Sequence, residues 1–162
     1  MDFETTNLSD PFSTSDAVEL LEPEARPEVD SSETPRTILA IDDDDAHTEL
    51  LAYRLGQHGY RTIIAHCGKE GIEKARTLAP ALIVLDLRLP DGHGLDICRQ
   101  LVDDPATCTI PVVILSGMEG PDILRDCRSA GCCYFLRKPY DPSALLLLVR
   151  QAIQDAESWN AA

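Results

Sequence analysis

From residue 36 onward the chain alternates short, nearly continuous apolar runs with longer stretches whose apolar positions recur every three to four residues. The short runs fall at 37–41, 62–65, 81–85, 111–115 and 133–136. Runs of this length, rich in Ile, Val and Leu, read as strands, and those centred on residues 39, 83 and 113 as strands covered on both faces. Between them the spacing predicts helices over 46–58, 69–78, 93–102, 121–129 and 142–155. In the first, Leu50, Leu51, Leu55 and His58 mark the expected inward face and Gly59 ends it; in the second the face is Ile72, Ala75 and Leu78, ahead of Pro80. Five such units predict an α/β fold, a doubly wound five-stranded parallel sheet with helices on both faces.

In a fold of this kind ligands bind outside the C-terminal ends of the strands, where the strand order reverses. The residues at the predicted strand ends are Asp42 and Asp43, a neutral segment around Ala65, then Asp86, Ser116 and, just beyond the last strand, Lys138. Taken alone, the run Asp42, Asp43, Asp44, Asp45 fits a hard-metal site and a solvated helix start equally well. The convergence of three carboxylates, a hydroxyl and an ammonium from distant parts of the chain favours the site. Carboxylates can hold Mg2+, and one of them can attack phosphorus to form an acyl phosphate. Asp86, alone at the end of a central strand, is the expected nucleophile, while Asp42 and Asp43 share the metal. Lys138 is expected to pair with the carboxylate beforehand and with the phosphoryl group afterward, and Ser116 to donate to a phosphoryl oxygen.

Composition adds a boundary and some exclusions. Of the 162 residues 28 are acidic and 14 basic, a formal charge of -14, which disfavours nucleic acid and anionic membrane as partners. Ten of the acids lie in residues 1–35 against the single base Arg26, interspersed with Pro11, Pro23, Pro27 and Pro35. That segment reads as an acidic disordered arm, residues 36–155 as the folded domain and 156–162 as a short tail. The six cysteines include no C-x2-C pair, so zinc ligation by that pattern is unsupported; Cys132 and Cys133 are expected reduced, with one facing the core. With no leader-like segment and no run able to span a bilayer, the expected location is cytoplasmic.

The runs I-L-A-I-D-D at 38–43, I-V-L-D-L-R-L-P-D-G at 83–92, V-V-I-L-S-G at 112–117 and Y-F-L-R-K-P at 134–139 together resemble a response regulator receiver domain of two-component signalling, specifically a stand-alone single-domain regulator. The resemblance covers about three quarters of the chain and implies the flavodoxin-like strand order 2-1-3-4-5. It implies that Asp86 takes a phosphoryl group from a phosphohistidine of a sensor histidine kinase or phosphotransfer protein, with Mg2+ as cofactor. The metal ligands would be Asp42, Asp43, Asp86 and the backbone carbonyl of Arg88, Asp43 being more direct than Asp42. Ser116 and Phe135 would be the switch pair, and Lys138 the family's lysine, followed by a cis bond to Pro139. Phe135 lacks the hydroxyl that tyrosine offers at this position, and Tyr134 should point to the opposite side of the strand. Output would be altered binding through the face of the fourth helix, fifth strand and fifth helix, near Arg125, Cys133 and Leu145. The downstream protein is not specified, and a phosphorylation-dependent homodimer is one option.

Around the site, Asp45 is the expected N-cap of the first helix, Asp44 lies at the rim, and His47, His66 and His93 are surface residues. Pro90-Asp91-Gly92 reads as a turn, with Gly92 and Gly94 letting the backbone clear the pocket. The resemblance implies that Met118 and Arg88 stand where the family tunes the lifetime of its acyl phosphate. Trp159 packs on the last helix, meets a partner or lies in a frayed end. Competing readings are a receiver fragment of a larger regulator or hybrid histidine kinase, and a small phosphatase or phosphotransferase of similar fold. A flavodoxin-like cofactor binder is disfavoured because acids stand where a phosphate loop needs amides.

Overall fold

The computed structural model describes residues 34–162, and the expected arm lies outside that range except for Thr34 and Pro35. Five parallel strands make the main sheet: β1 (Thr37–Ile41), β2 (Arg61–Ala65), β3 (Leu82–Asp86), β6 (Val112–Ser116) and β7 (Tyr134–Arg137). Their order is β2-β1-β3-β6-β7, which is the expected 2-1-3-4-5 arrangement. The helices are α1 (Asp45–Gln57), α2 (Gly68–Leu78), α3 (Gly94–Asp103), α4 (Ile123–Ser129) and α5 (Pro142–Asn160). Two further strands, β4 (Arg88–Leu89) and β5 (Gly92–His93), form a small antiparallel hairpin that local periodicity does not reveal.

Alternation along each central strand builds two core layers. Leu39, Ile41, Ile83, Leu85 and Ile114 face a layer that includes Ile72 and Ala75 of α2, Leu95, Cys98 and Leu101 of α3, and Cys127 of α4. Ile38, Ala40, Leu82, Val84, Val113 and Leu115 face Leu51 and Leu55 of α1 and Leu145, Val149, Ala152 and Ile153 of α5. The near-continuous apolar runs therefore mark strands covered on both faces.

The helix faces differ in detail from the expected ones. Leu50 is 45% exposed and Leu78 49%, while Thr48, with its hydroxyl bonded to the Asp45 carbonyl, takes the buried place on α1. Gly71 of α2 is buried so closely that a Cβ there would sit 2.4 Å from Ile41 Cδ1. Leu145 belongs to the core and not to the outward face of α5, whose exposed leucine is Leu147. Helix α5 continues through 156–160, and Trp159 is 82% exposed. Its start is well defined: Pro142 occupies the first turn and the Asp141 carboxylate accepts from the amides of Ser143 and Ala144. Of the paired cysteines, Cys132 is buried and Cys133 exposed, and all six are free thiols. Among the described residues no helix is long and apolar enough to cross a membrane.

Candidate functional site

The parallel register carries the C-terminal ends of β1, β3 and β6 to one edge of the sheet. Asp42 follows Ile41, Asp86 closes β3 opposite Leu115, and Ser116 closes β6 opposite Arg137. Carboxylate oxygens of Asp42, Asp43 and Asp86 all lie within 4.8 Å of one another. Lys138 follows β7, its amide bonded to the Ser116 carbonyl at 2.9 Å and its peptide bond to Pro139 cis. From there Nζ donates to Asp86 Oδ2 at 3.0 Å and to Asp42 Oδ2 at 3.2 Å. The fully buried Ser116 hydroxyl oxygen accepts from the Met118 amide at 3.0 Å, which leaves its own hydrogen free to donate. Gly117 keeps the space beside Lys138 open. The Arg88 side chain is exposed and its amide donates to Asp86 Oδ1 at 3.1 Å, fixing the other acceptor oxygen. Three clustered carboxylates form a hard oxygen donor set, which suits Mg2+ better than a soft metal.

The charges are balanced by position. Burial would raise the Asp42 carboxyl, but hydrogen bonds from His47, the Asp44 amide and Lys138, with the ammonium's charge, outweigh it and hold the group down to about 2. For Lys138 burial opposes the charged form, yet the bond to Asp86 and the charges of Asp42 and Asp86 win, so its ammonium is held above the usual lysine range. The lowered Asp42 value means that the folded chain binds fewer protons than the unfolded one between about pH 4 and pH 2. The stability it contributes is complete above the ordinary carboxyl value of 3.8 and is lost as pH falls through about 2. In metal-free protein the unfolding free energy should therefore drop across this range by about 2 kcal/mol more for the parent than for Asp42→Asn. Acid denaturation curves of equal slope would contradict this.

Several neighbours stand differently from expectation. The N-cap of α1 is Asp44, whose carboxylate accepts from the His47 amide at 3.2 Å, and Asp45 is the first helical residue. A cap must precede the first helical turn, and the helix starts one residue earlier than its apolar pattern. His47 is not a surface residue: its side chain is 16% exposed, with Nδ1 2.6 Å from Asp42 Oδ2 and Nε2 2.7 Å from the Tyr140 hydroxyl. His66 and His93 are exposed, and His93 Nδ1 accepts from the Leu95 amide at the start of α3. Asp91 does more than turn the chain. Its carboxylate accepts from the Lys69 and Gly68 amides at 2.9 and 2.8 Å, which holds it below its usual range and caps α2 from a loop 22 positions away. Gly94 is required by close approach, since a Cβ there would sit 2.4 Å from the Asp86 carbonyl oxygen. Phe135 and Met118 are half-buried against the layer under α2, α3 and α4. Tyr134 lies in the opposite layer and donates to Asp155 at 2.6 Å.

Comparison with known proteins agrees with this arrangement. Residues 38–150 match the response regulator receiver domain family. The chain is 34% identical over 113 residues to the response regulator PleD of Caulobacter vibrioides, covering 70% of this chain and 25% of that protein. It is 26% identical to the polar-differentiation response regulator DivK of Brucella anthropi, covering 75% of this chain and 99% of that one. The chain thus spans about a quarter of the first relative and nearly all of the second. Among solved structures, the fold matches a CheY-like response regulator receiver domain protein from Methanospirillum hungatei with TM-score 0.72, 23% identity, and coverage of 76% of this chain and 98% of that one. With its sheet order, its strand-end carboxylates and this match over most of its length, the chain belongs to the response regulator receiver domain family of two-component signalling.

Proposed function

We propose that this receiver takes a phosphoryl group from a phosphohistidine donor onto Asp86 and signals by altered partner binding. The observation that carries the reading is the placement of Asp86 at the end of a central strand, 3.0 Å from Lys138 Nζ and inside a cluster of three carboxylates. An Asp86 carboxylate oxygen attacks phosphorus, the phosphorus–nitrogen bond of the donor breaks, and the imidazole nitrogen leaves with the electron pair. Asp42, Asp43, Asp86 and the Arg88 carbonyl would hold Mg2+, Asp43 more directly than Asp42. When bound, the cation neutralises charge on the transferring phosphoryl oxygens. Lys138 loses its carboxylate partner Oδ2 to the new bond and takes a phosphoryl oxygen instead, and the free Ser116 hydrogen donates to another.

The resulting pull on Ser116 and Phe135 shifts the population between two packings of the face made by α4, β7 and α5. On and beside these elements Leu124, Arg125, Cys133 and Leu147 are exposed, and Leu145 is buried in the core. The protein acts as a switch and not as a turnover enzyme: the modified residue is its own. Its partners are a histidine kinase or phosphotransfer protein and a downstream protein that reads the face. Near-complete coverage of DivK favours independent action, and partial coverage of PleD favours service as one module.

Intact mass of the full chain after incubation with Mg2+ and a small acyl phosphate donor tests the reading. One phosphoryl group per chain is expected with the cation and none with a chelator. Continuous turnover of a phosphate ester with no trapped phosphoryl group would replace the switch by a phosphatase.

A further inference from the structure

We propose that His47 and Tyr140 are positioning residues for this site, Tyr140 holding His47 and His47 holding the Asp42 carboxylate in the orientation that the cation and Lys138 require. The inference rests on the reading of the site as a cation-dependent phosphoryl acceptor. A carboxylate only accepts, so His47 Nδ1 donates to Asp42 Oδ2 at 2.6 Å, and Nε2 accepts from the Tyr140 hydroxyl at 2.7 Å. The carboxylate thereby keeps the proton on Nδ1, and a neutral ring leaves Nε2 as the acceptor that the Tyr140 hydroxyl holds. The two rings meet edge to face, with centroids 5.8 Å apart and planes at 74°.

Both oxygens of Asp42 are pinned. Oδ1 accepts from the Asp44 amide at 3.0 Å, and Oδ2 accepts from His47 and from Lys138. His47 is therefore one of the bonds that stop rotation of this carboxylate, and Lys138 uses the same oxygen as its anchor while reaching Asp86. A turn of Asp42 would move the ammonium beside the phosphoryl acceptor as well as the wall of the cation site. Tyr140 lies two residues past Lys138 and immediately before the α5 cap Asp141, so two segments distant in sequence meet at one imidazole. The His47 side chain is 16% exposed and meets Tyr140, which packs on the core layer of α1 and α5, so its loss is read against stability as well as affinity. Its effect is directed at Asp42. Removing a partner that orients a metal ligand from behind typically costs about 10–100-fold in metal affinity.

The test is calorimetric titration of Mg2+ into the full chain as parent, His47→Ala, His47→Asn, Tyr140→Phe and the double variant His47→Ala with Tyr140→Phe, alongside denaturation midpoints in chelator. His47→Ala is expected to weaken Mg2+ binding about ten-fold or more. The His47→Asn amide nitrogen can stand where Nδ1 stands, so this variant is expected to recover most of the affinity. Tyr140→Phe should weaken binding by a smaller factor, and by none once His47 is gone. Parental Mg2+ affinity in the His47 variants, with only the midpoints in chelator lowered, would overturn the proposal by reducing the pair to a structural contact. Equal losses from Tyr140→Phe with and without His47 would overturn the chain of command. Absence of Mg2+ binding by the parent itself would instead remove the functional reading on which the proposal stands.

Discussion

Lys138→Met should slow phosphoryl acceptance by about 10²–10³-fold, the loss typical when one preorganised donor to a developing negative charge is removed. The same substitution should destabilise the metal-free domain. Lys138 Nζ is the ammonium within 3.2 Å of both Asp42 and Asp86, and Asp42 is only 4% exposed. Without it, three carboxylates within 4.8 Å of one another face each other with no cation between them. Removing one partner of a buried pair costs about 3–5 kcal/mol, and the low end applies here because the lysine side chain is 24% exposed. Mg2+ should then raise the melting temperature of the variant by more than it raises that of the parent. Rates within a factor of a few of the parent, or unchanged stability in chelator, would show that Lys138 is not the counter-charge of the cluster.

Gly94→Ala is expected to cost about 3 kcal/mol, the upper range for forcing an atom into a packed interior. The added Cβ would lie 2.4 Å from the Asp86 carbonyl oxygen, 2.6 Å from Leu87 Cα and 3.1 Å from the Asp86 carbonyl carbon. These are backbone atoms of the strand end and cannot swing aside as a flexible side chain can. The glycine amide also donates to the Leu87 carbonyl at 2.8 Å, so the start of α3 cannot retreat without breaking that bond. The clash must displace the Asp86 backbone, and a shift of about 1 Å in a reacting group costs about 10²-fold in rate. Urea denaturation and the phosphorylation rate should fall together. Parental stability in Gly94→Ala would mean that the approach of α3 to β3 is looser than described.

The sheet was legible because its central strands are covered on both faces, which makes Ile38 to Ile41, Leu82 to Leu85 and Val112 to Leu115 stand out as apolar runs. Asp86, Ser116 and Lys138 are legible for a related reason: the first two directly follow such runs and Lys138 stands just beyond the last strand, so the topological rule for ligand sites names them without any contact being known. His47 was not legible. It lies on an amphipathic helix among polar residues, and its partner Tyr140 is 93 positions away, a pairing that periodicity within α1 does not encode. A signal existed only in hindsight, in an aromatic hydroxyl two residues beyond Lys138. The Asp91 cap on α2 escaped for the same cause, since local turn chemistry explains an aspartate before glycine fully. The misplaced N-cap is a matter of register: four consecutive aspartates offer four caps, and only the backbone conformation at Asp44, φ -85° and ψ 103°, selects one. Leu50 and Leu78 fit the spacing of an inward face but lie at its edges, where a helix packed on a twisted sheet leaves them half in solvent.

The central claim is that Asp86 is the residue that carries the phosphoryl group. Intact mass of the full chain and of Asp86→Asn, each incubated with Mg2+ and the same acyl phosphate donor, tests it most directly. The account predicts one added phosphoryl group on the parent and none on the variant, with both chains folded by circular dichroism. Equal addition to the variant would contradict it and move the acceptor to another side chain.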